Sequence, residues 1–307
     1  MGGYDPPLRV PGSKIDFRVA EQPKNQSAII PFQRRQGYYG RYSNPSDEGD
    51  TVERKRRRRP LELSNAALHV CGVPLLAAGC LSGVIQSRIL GVGQVANSQL
   101  LEVIQIRPDG MVYATLALIG QVLEICAVPI FAFLLSEGAR YTASYRKYLL
   151  RVACLAAACE IPYNLLTGDS VFVVGSLNPV FGAVMSLLML YFFRTFRDKR
   201  ASHTAVKAVA VLGAYLWSTF LGVAFGGACV ILTAVLWAVR EKQNLRLISG
   251  CFAGIACTVF SPLYLFSPLA FLVIHFYSGE RGGGNRLLHY LSYPLITIVC
   301  LLISRLV

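Results

Sequence analysis

One imidazole and two carboxyl groups lie inside long apolar runs of this sequence, where ionisable side chains are costly. His69 lies near the start of one run, Glu124 in the middle of the next, and Glu160 near the end of a third. A histidine can act as a general base, and a carboxylate can support the cation that forms. Ionisable residues within membrane spans are candidates for function in general. His69 and Glu160 are therefore the candidate catalytic residues.

Each of these residues also has a structural interpretation. His69 can be a neutral, hydrogen-bonded residue that packs between helices. Glu160 precedes Pro162 by two positions and can bond backbone groups that the proline leaves free. Glu124 is explained equally well by an ion pair with Arg151 or by a protonated carboxyl group, and the sequence leaves both open.

The remaining polar residues fit structural roles. Asn178 directly precedes Pro179, and we expect it to cap or bond the start of a helix. Three further histidines lie near the ends of apolar runs, where imidazoles are ordinary interface residues: His203, His275 and His289. The sequence has no Ser-His-Asp order and no phosphate loop. Its nine cysteines show no metal-ligand spacing, and we expect them to be small buried side chains.

Composition indicates the elements that hold these residues. Of the 307 residues, 54% are hydrophobic and only 15% are charged, which lies outside the usual range of soluble proteins. Apolar runs long enough to cross a membrane recur after residue 60. We predict an all-α polytopic membrane protein, a bundle of about nine transmembrane helices. The predicted spans are 63–85, 111–136, 147–166, 174–193, 205–221, 223–239, 247–260, 263–277 and 287–305.

Basic residues concentrate on one side of these spans. The loops on the side of the amino terminus carry most of the arginines and lysines, whereas the opposite side has only Arg88, Arg107 and the terminal Arg305. This bias is typical of proteins whose basic loops face the cytoplasm or the mitochondrial matrix. On that side, we expect three residues to hold anionic lipid head groups, cardiolipin among them. They are Arg146, Lys147 and Arg151.

Residues 1–60 differ from the membrane domain, 61–307. They are basic, rich in Arg, Tyr and Pro, and too poor in apolar side chains to fold alone. The stretch QRRQGYYGRYS, residues 33–43, interleaves arginines with tyrosines, which indicates an interaction arm that contacts other subunits. A solvated tail is the alternative. Nothing in the sequence indicates a nucleic-acid partner.

Six stretches, in this order, resemble the TraX family of membrane proteins. They are PIFAFLLSEG (129–138), YRKYLLR (145–151), CEIPYNLL (159–166), LNPVFGAVMSLLML (177–190), FYSGERG (276–282) and YLSYPLITIV (290–299). The similarity covers about residues 63–305. The resemblance implies a bundle of eight to ten helices related to integral-membrane acyltransferases, which draw their acyl group from acetyl-CoA.

Three positions depart from what the resemblance implies. The family has an Asp before the His of the first span, and this sequence has Leu68. It has an Arg before the Pro-Phe-Ala-Phe stretch and a His after Tyr-Pro-Leu, and this sequence has Ile125 and Ile296. Because a carboxylate, a guanidinium and an imidazole are all replaced, we predict that acyl transfer has been lost.

Two functions remain to be tested. In the first, the protein is an accessory subunit of a larger membrane complex and needs no cofactor. We favour the mitochondrial inner membrane, with the bacterial plasma membrane as the alternative. In the second, it is an acetyl-CoA-dependent acyltransferase that uses His69, with Glu160 or Glu124 replacing the missing Asp. A transporter is disfavoured, because the sequence lacks paired broken helices in two halves.

Overall fold

The computed structural model describes residues 62–91, 108–168, 170–171, 173, 175–198, 200–280, 282–283 and 286–306. The predicted arm, residues 1–60, lies outside these ranges. Within them the chain is helical, and the β-structure is limited to two isolated bridges, between Leu63 and Tyr277 and between Leu177 and Val223. The all-α class is therefore confirmed for the described residues.

Nine α-helices lie in the described ranges, one for each predicted span. They are α1 (Asn65–Val84), α2 (Gly110–Tyr141), α3 (Tyr145–Thr167), α4 (Val180–Thr195), α5 (Ala201–Phe220), α6 (Gly226–Ala238), α7 (Gln243–Ala256), α8 (Pro268–His275) and α9 (Arg286–Leu306). Four segments are long and apolar enough to cross a membrane: Asn65–Ile89, Gly110–Tyr141, Tyr145–Thr167 and His289–Leu306. Shorter apolar helical segments are Val180–Thr195, Gly226–Ala238 and Pro262–His275.

Helix α2 is the centre of the bundle. Over half of its most apolar window, 56%, is buried inside the protein, against 28% or less for the other three long segments. Its 32 residues span about 48 Å, more than the ~30 Å of a hydrocarbon core. It packs against α1, α6 and α8. A helix that touches so many neighbours positions the residues of any internal site.

The start of α1 is fixed by its own cap and by a distant segment. The Ser64 hydroxyl accepts a hydrogen bond from the Ala67 amide at 3.2 Å, which satisfies one of the free donors of the first turn. Just before it, the Leu63 amide donates to the Phe276 carbonyl at 2.8 Å, and the Ser278 amide donates to the Leu63 carbonyl at 2.9 Å. This pairing joins the first described residues to the segment that follows α8.

Helices α7 and α8 are separated by irregular backbone around SPLYLFSP. Short 3₁₀ turns at Cys257–Val259 and Pro262–Phe266 replace α-helix there, because the prolines cannot donate to the preceding turns. Tyr264 is 2% exposed, and the Cys126 thiol of α2 donates to the Phe266 carbonyl at 3.4 Å. The irregular backbone between these two short helices therefore contacts α2.

One end of the bundle contains the turns 142–144 and 239–242, the described residues 196–198 and 200 between α4 and α5, and the segment after α8; we call it the basic end. Three contacts bring these turns together. Arg194 donates to the Ala139 carbonyl at 2.8 Å, Arg246 pairs with Glu137, and the Gln243 amide donates to the His275 carbonyl at 3.4 Å. Exposed cations and several aromatic rings therefore lie at the same end as the start of α1.

Candidate functional site

His69 lies one turn into α1, where its ring contacts two other rings. Its centroid lies 4.4 Å from that of His289 on α9 and 5.5 Å from that of Phe131 on α2, both in edge-to-face geometry. Among the described residues, no ion pair joins His69 to a carboxylate. The imidazole therefore has a second imidazole as its titratable neighbour, where the family resemblance implies an acid.

His289 is a residue that the sequence interpretation assigned to a helix end. It does lie near the start of α9, but it faces α1. The sequence did contain a signal for this contact. His69 and His289 each lie about one turn after the start of their helix, and both helices begin at the same end of the bundle, so the two rings lie at a similar depth. Two imidazoles in contact can share or pass a proton, but neither supplies a fixed negative charge.

The apolar replacements at the other family positions lie in the core. Leu68 is 0% exposed and Ile125 is 4% exposed, and both belong to one cluster with Phe133, Phe271 and Ile274. Both positions are therefore part of the close-packed apolar core. Ile296, on α9, lines an apolar groove against α1.

The carboxylate of Glu160 holds the loop before α4. Its Oε2 accepts from the Asn178 side-chain amide at 2.6 Å and from the Asn178 backbone amide at 3.2 Å. The Asn178 side-chain amide also donates to the Ala156 carbonyl at 2.8 Å, and Asn178 Oδ1 accepts from the Val180 amide at 3.0 Å. Asn178 is fully buried. The partner of Glu160 is thus Asn178, which bonds the start of α4 as expected.

Helical rise separates Glu160 from His69 in depth. His69 is four residues from the start of α1, and Glu160 is fifteen residues from the start of α3, both counted from the basic end. At 1.5 Å per residue these positions differ by roughly 16 Å along the bundle. Glu160 therefore lies far from the depth at which a partner of His69 would have to be.

Glu124 lies in the middle of α2 and packs against α1. A Cβ placed on Gly79 would overlap its side chain, so the glycine is what permits this close approach. Tyr163 of α3 and Tyr293 of α9 are near enough to interact with it electrostatically. Arg151, the ion-pair partner considered for it, is exposed on α3. Of the two explanations that the sequence left open, the ion pair with Arg151 has no support in this geometry.

A buried polar centre at the basic end was not predicted. Glu137 is 2% exposed and Arg246 is 7% exposed, and Arg246 Nη1 lies 3.5 Å from Glu137 Oε1. Arg140 Nη1 approaches the same oxygen at 4.0 Å, and the Tyr277 hydroxyl donates to Glu137 Oε2 at 3.3 Å. Burial, followed by the charge of Glu137, raises the pKa of Tyr277 above its usual value, so the hydroxyl stays protonated and donates.

This centre joins helices that are distant in sequence. Glu137 comes from α2, Arg246 from α7, and Tyr277 from the segment paired with Leu63. The Arg246 guanidinium also stacks 4.8 Å from the Phe133 ring centroid. Arg246 lies just before the predicted span 247–260, so the sequence interpretation counted it among the loop cations. The available signal was an acid directly after one apolar run and an arginine directly before another, since buried charges need partners.

The residues predicted to hold lipid head groups lie on the surface of α3. Arg146, Lys147 and Arg151 are all exposed and lie within its first two turns. They are available to solvent or to head groups at the depth where α3 enters an apolar layer.

The fold and these sites define a helical protein whose long apolar helices suit a membrane. The sequence profile of the TraX protein family matches residues 106–304, and the chain belongs to the TraX family. The matched segment begins after α1, so Leu68 and His69 lie outside it. The sequence analysis expected similarity over residues 63–305, and the family profile matches this range from residue 106 to residue 304. No curated protein and no solved structure matches the chain.

Proposed function

We propose that this TraX-family chain is an integral membrane protein that has lost acyl transfer and serves as an accessory subunit of a larger membrane complex. The observation that carries the loss of catalysis is the burial of Leu68 and Ile125 in one apolar cluster. A transition state of acyl transfer develops negative charge, and an apolar wall without donors does not stabilise it.

The other polar residues support a structural role. Glu160 is engaged by Asn178, and Glu137 is engaged by Arg246 and Tyr277. Both carboxylates thereby join separate helices and hold the bundle in one arrangement. A rigid bundle of nine spans with its amino terminus on the matrix or cytoplasmic side is the form in which we propose that the subunit functions. The mitochondrial inner membrane remains our favoured location.

The proposed partners are neighbouring subunits and anionic lipids. The arm at residues 1–60 is rich in Arg and Tyr, and such a segment gains order when it lies against another protein. Arg146, Lys147 and Arg151 are exposed where anionic head groups, cardiolipin among them, would reach α3.

Deletion of residues 1–50 tests the accessory role. On a native gel of gently solubilised membranes, the full-length protein is expected to migrate in a large complex, and the deletion is expected to release it. A matched control is removal of charge alone, by changing Arg34, Arg35 and Arg41 to Gln with the chain length kept. Co-migration of the deletion variant with the intact complex would contradict the proposal.

Active acyl transfer is the second candidate, and one observation favours it. The contact of His69 with His289 gives the first imidazole a neighbour that can accept a proton. Transfer of radiolabelled acetyl groups from acetyl-CoA by purified protein, compared with the His69→Ala and His289→Ala variants, decides between the two. Transfer that both substitutions abolish would establish the enzyme, and the absence of transfer above the variants supports the accessory role.

A further inference from the structure

Two buried oxygen atoms near the carboxyl end of α3 have no hydrogen-bond partner. They are Glu160 Oε1 and Asn164 Oδ1. Asn164 is 1% exposed, and its Nδ2 donates to the Val171 carbonyl at 3.2 Å, so the amide oxygen is the atom left free. Buried acceptors without a donor are rare in proteins, and a bound ion or water is a common reason for them. These two atoms therefore indicate a place where a ligand is held.

Helix geometry and two hydrogen bonds place the free oxygens next to each other. Glu160 and Asn164 are four residues apart on α3, so their side chains lie on one face, one turn apart. The other carboxyl oxygen of Glu160 accepts from the Asn178 side chain at 2.6 Å, while the Asn164 amide nitrogen is bonded to Val171. Both side chains are thus held against the described part of the loop between α3 and α4. Their free oxygens lie between this loop and the helix.

The chemistry of the two free atoms suits a cation. Both are acceptors, and one belongs to a carboxylate. Among the residues that the structure describes, no ion pair involves Glu160. A carboxylate oxygen that is removed from solvent needs a positive charge beside it. The end of α3 adds to this requirement, because the last turn of a helix carries partial negative charge and α3 ends at Thr167.

The single carboxylate favours a monovalent ion. Carboxylate and amide oxygens are ligands of hard metal cations, but calcium takes about six to eight oxygens and is usually held by several carboxylates. The described residues contain no group of three or more His, Cys, Asp or Glu that could hold a metal ion. The neighbouring Thr167, Gly168 and Val171 are exposed, so the position lies close to the surface at this end of α3. An ion can therefore reach it from solvent.

We propose that Glu160 Oε1 and Asn164 Oδ1 belong to a binding site for a monovalent metal cation, sodium or potassium, beneath the loop that precedes α4. Asn178 positions the carboxylate through its other oxygen. The bound ion joins α3 to this loop by ligating side chains that already contact both. The site is independent of the proposed loss of acyl transfer, since it lies roughly 16 Å in depth from His69.

Equilibrium binding of radioactive sodium to the purified full-length protein tests this site. We expect saturable binding with a Kd on the order of 1 mM, and competition by unlabelled sodium or potassium. Glu160→Gln removes the charge but keeps an oxygen for Asn178, and it is expected to weaken binding at least about tenfold. Glu241→Gln is the matched control, because Glu241 is 78% exposed and the same charge is removed. Its binding should stay within a factor of about two of the wild type.

Asn164→Asp tests the second ligand through a gain of affinity, which a misfolded protein does not show. A second carboxylate at this position is expected to tighten sodium binding about tenfold and to let calcium compete at submillimolar concentration. A sodium affinity equal to that of the wild type would remove Asn164 from the site.

Three further results would overturn the proposal. Without saturable sodium binding to the wild type, the two oxygens are satisfied by water or by a proton. Binding that is reduced equally, or not at all, in Glu160→Gln and Glu241→Gln places the cation elsewhere on the protein. Displacement of sodium from the wild type by micromolar calcium indicates a site for a divalent ion.

Discussion

Glu137 and Arg246 exemplify the residues that hold this bundle together. Each is almost fully buried. Removal of Glu137 would take away the carboxylate that pairs with Arg246, and removal of Arg246 would leave Glu137 with Arg140 at 4.0 Å and the Tyr277 hydroxyl. Desolvation makes such a charge costly, whereas the pair together is tolerated. The pair therefore contributes to stability through the penalty for breaking it, and it fixes how α7 sits against α2.

Removal of Arg246 tests this role. Arg246→Ala is expected to lower the free energy of unfolding by about 3 kcal/mol, because Glu137 loses its nearest cation. Thermal unfolding in detergent measures the change. The double variant Glu137→Leu with Arg246→Leu is expected to recover much of the loss.

Arg151→Ala is the matched control for this change, since Arg151 is exposed, and its effect should stay within about 0.5 kcal/mol. If Arg246→Ala cost no more than this control, the buried pair would not be holding α7 to α2.

Asn178 is the second residue whose loss should be expensive. Asn178→Ala removes the side-chain bonds to Glu160, to the Ala156 carbonyl and to the Val180 amide, and leaves the Glu160 carboxylate with the backbone amide of residue 178 as its donor. We expect a loss of about 2 kcal/mol in unfolding free energy. The exposed Asn244, changed to Ala, supplies the comparison by differential scanning fluorimetry. Equal melting temperatures for the two variants would rule out the role given to Asn178.

The sequence identified some of these residues and missed others for a physical reason. Asn178 was predictable because its role is local: it bonds the helix that begins two residues later. For Glu160 the sequence left both a catalytic and a structural role open, because its hydrogen-bond donor Asn178 lies 18 residues away in the chain. The pairs Glu137–Arg246 and His69–His289 join residues more than 100 positions apart, and only the packing of the helices brings them together.

At the scale of helices and turns, Gly222 shows where backbone conformation is decisive. Its φ is +62°, and a Cβ there would collide with the Gly175 carbonyl oxygen in the loop before α4. The Leu177 amide donates to the Gly222 carbonyl at 3.1 Å, so the loop and the α5–α6 turn are joined at this point. A side chain at residue 222 would separate them.

Gly222→Ala is expected to destabilise the protein by at least about 2 kcal/mol, since positive φ and the collision act together. Gly213→Ala is the matched control, because a Cβ at Gly213, inside α5, would meet no neighbouring atom. It should be neutral or stabilising by up to about 1 kcal/mol. Thermal unfolding of both variants measures the difference, and equal destabilisation would contradict the account of this turn.

The helices themselves were largely predictable. Each predicted span corresponds to an α-helix because apolar runs and the charged turns between them define both ends. The observed α4 begins at Val180 and not at 174, since Asn178 and Pro179 start the helix. The apolar pattern does not predict which helix lies at the centre of the bundle. The central position of α2 results from its contacts with several other helices.

For the whole molecule, the number of spans determines where the two ends lie. The proposed nine crossings would place the amino and carboxyl termini on opposite sides, with the basic end facing the matrix or the cytoplasm. Among the described residues, four segments have the length and composition to cross a membrane, and the nine-span proposal requires the shorter helices to cross as well. The excess of basic residues on one side is the basis for the proposed direction.

Tags at the two termini test the topology. In sealed membrane vesicles, an amino-terminal and a carboxyl-terminal epitope tag are expected to be cut by added protease from opposite sides. A loop tag inserted at Glu241 should behave like the amino-terminal tag. Cleavage of both terminal tags from the same side would require an even number of spans and would contradict the nine-span arrangement.

The central proposal is that acyl transfer has been lost and that Leu68 and Ile125, both buried in one apolar cluster, occupy positions where the family resemblance implies an acid and a cation. Equilibrium binding of acetyl-CoA to the purified wild-type protein, with His69→Ala as the reference, tests it most directly. We expect no saturable binding up to about 1 mM, the upper range of enzyme KM values. Saturable binding in the micromolar range that His69→Ala removes would contradict the claim.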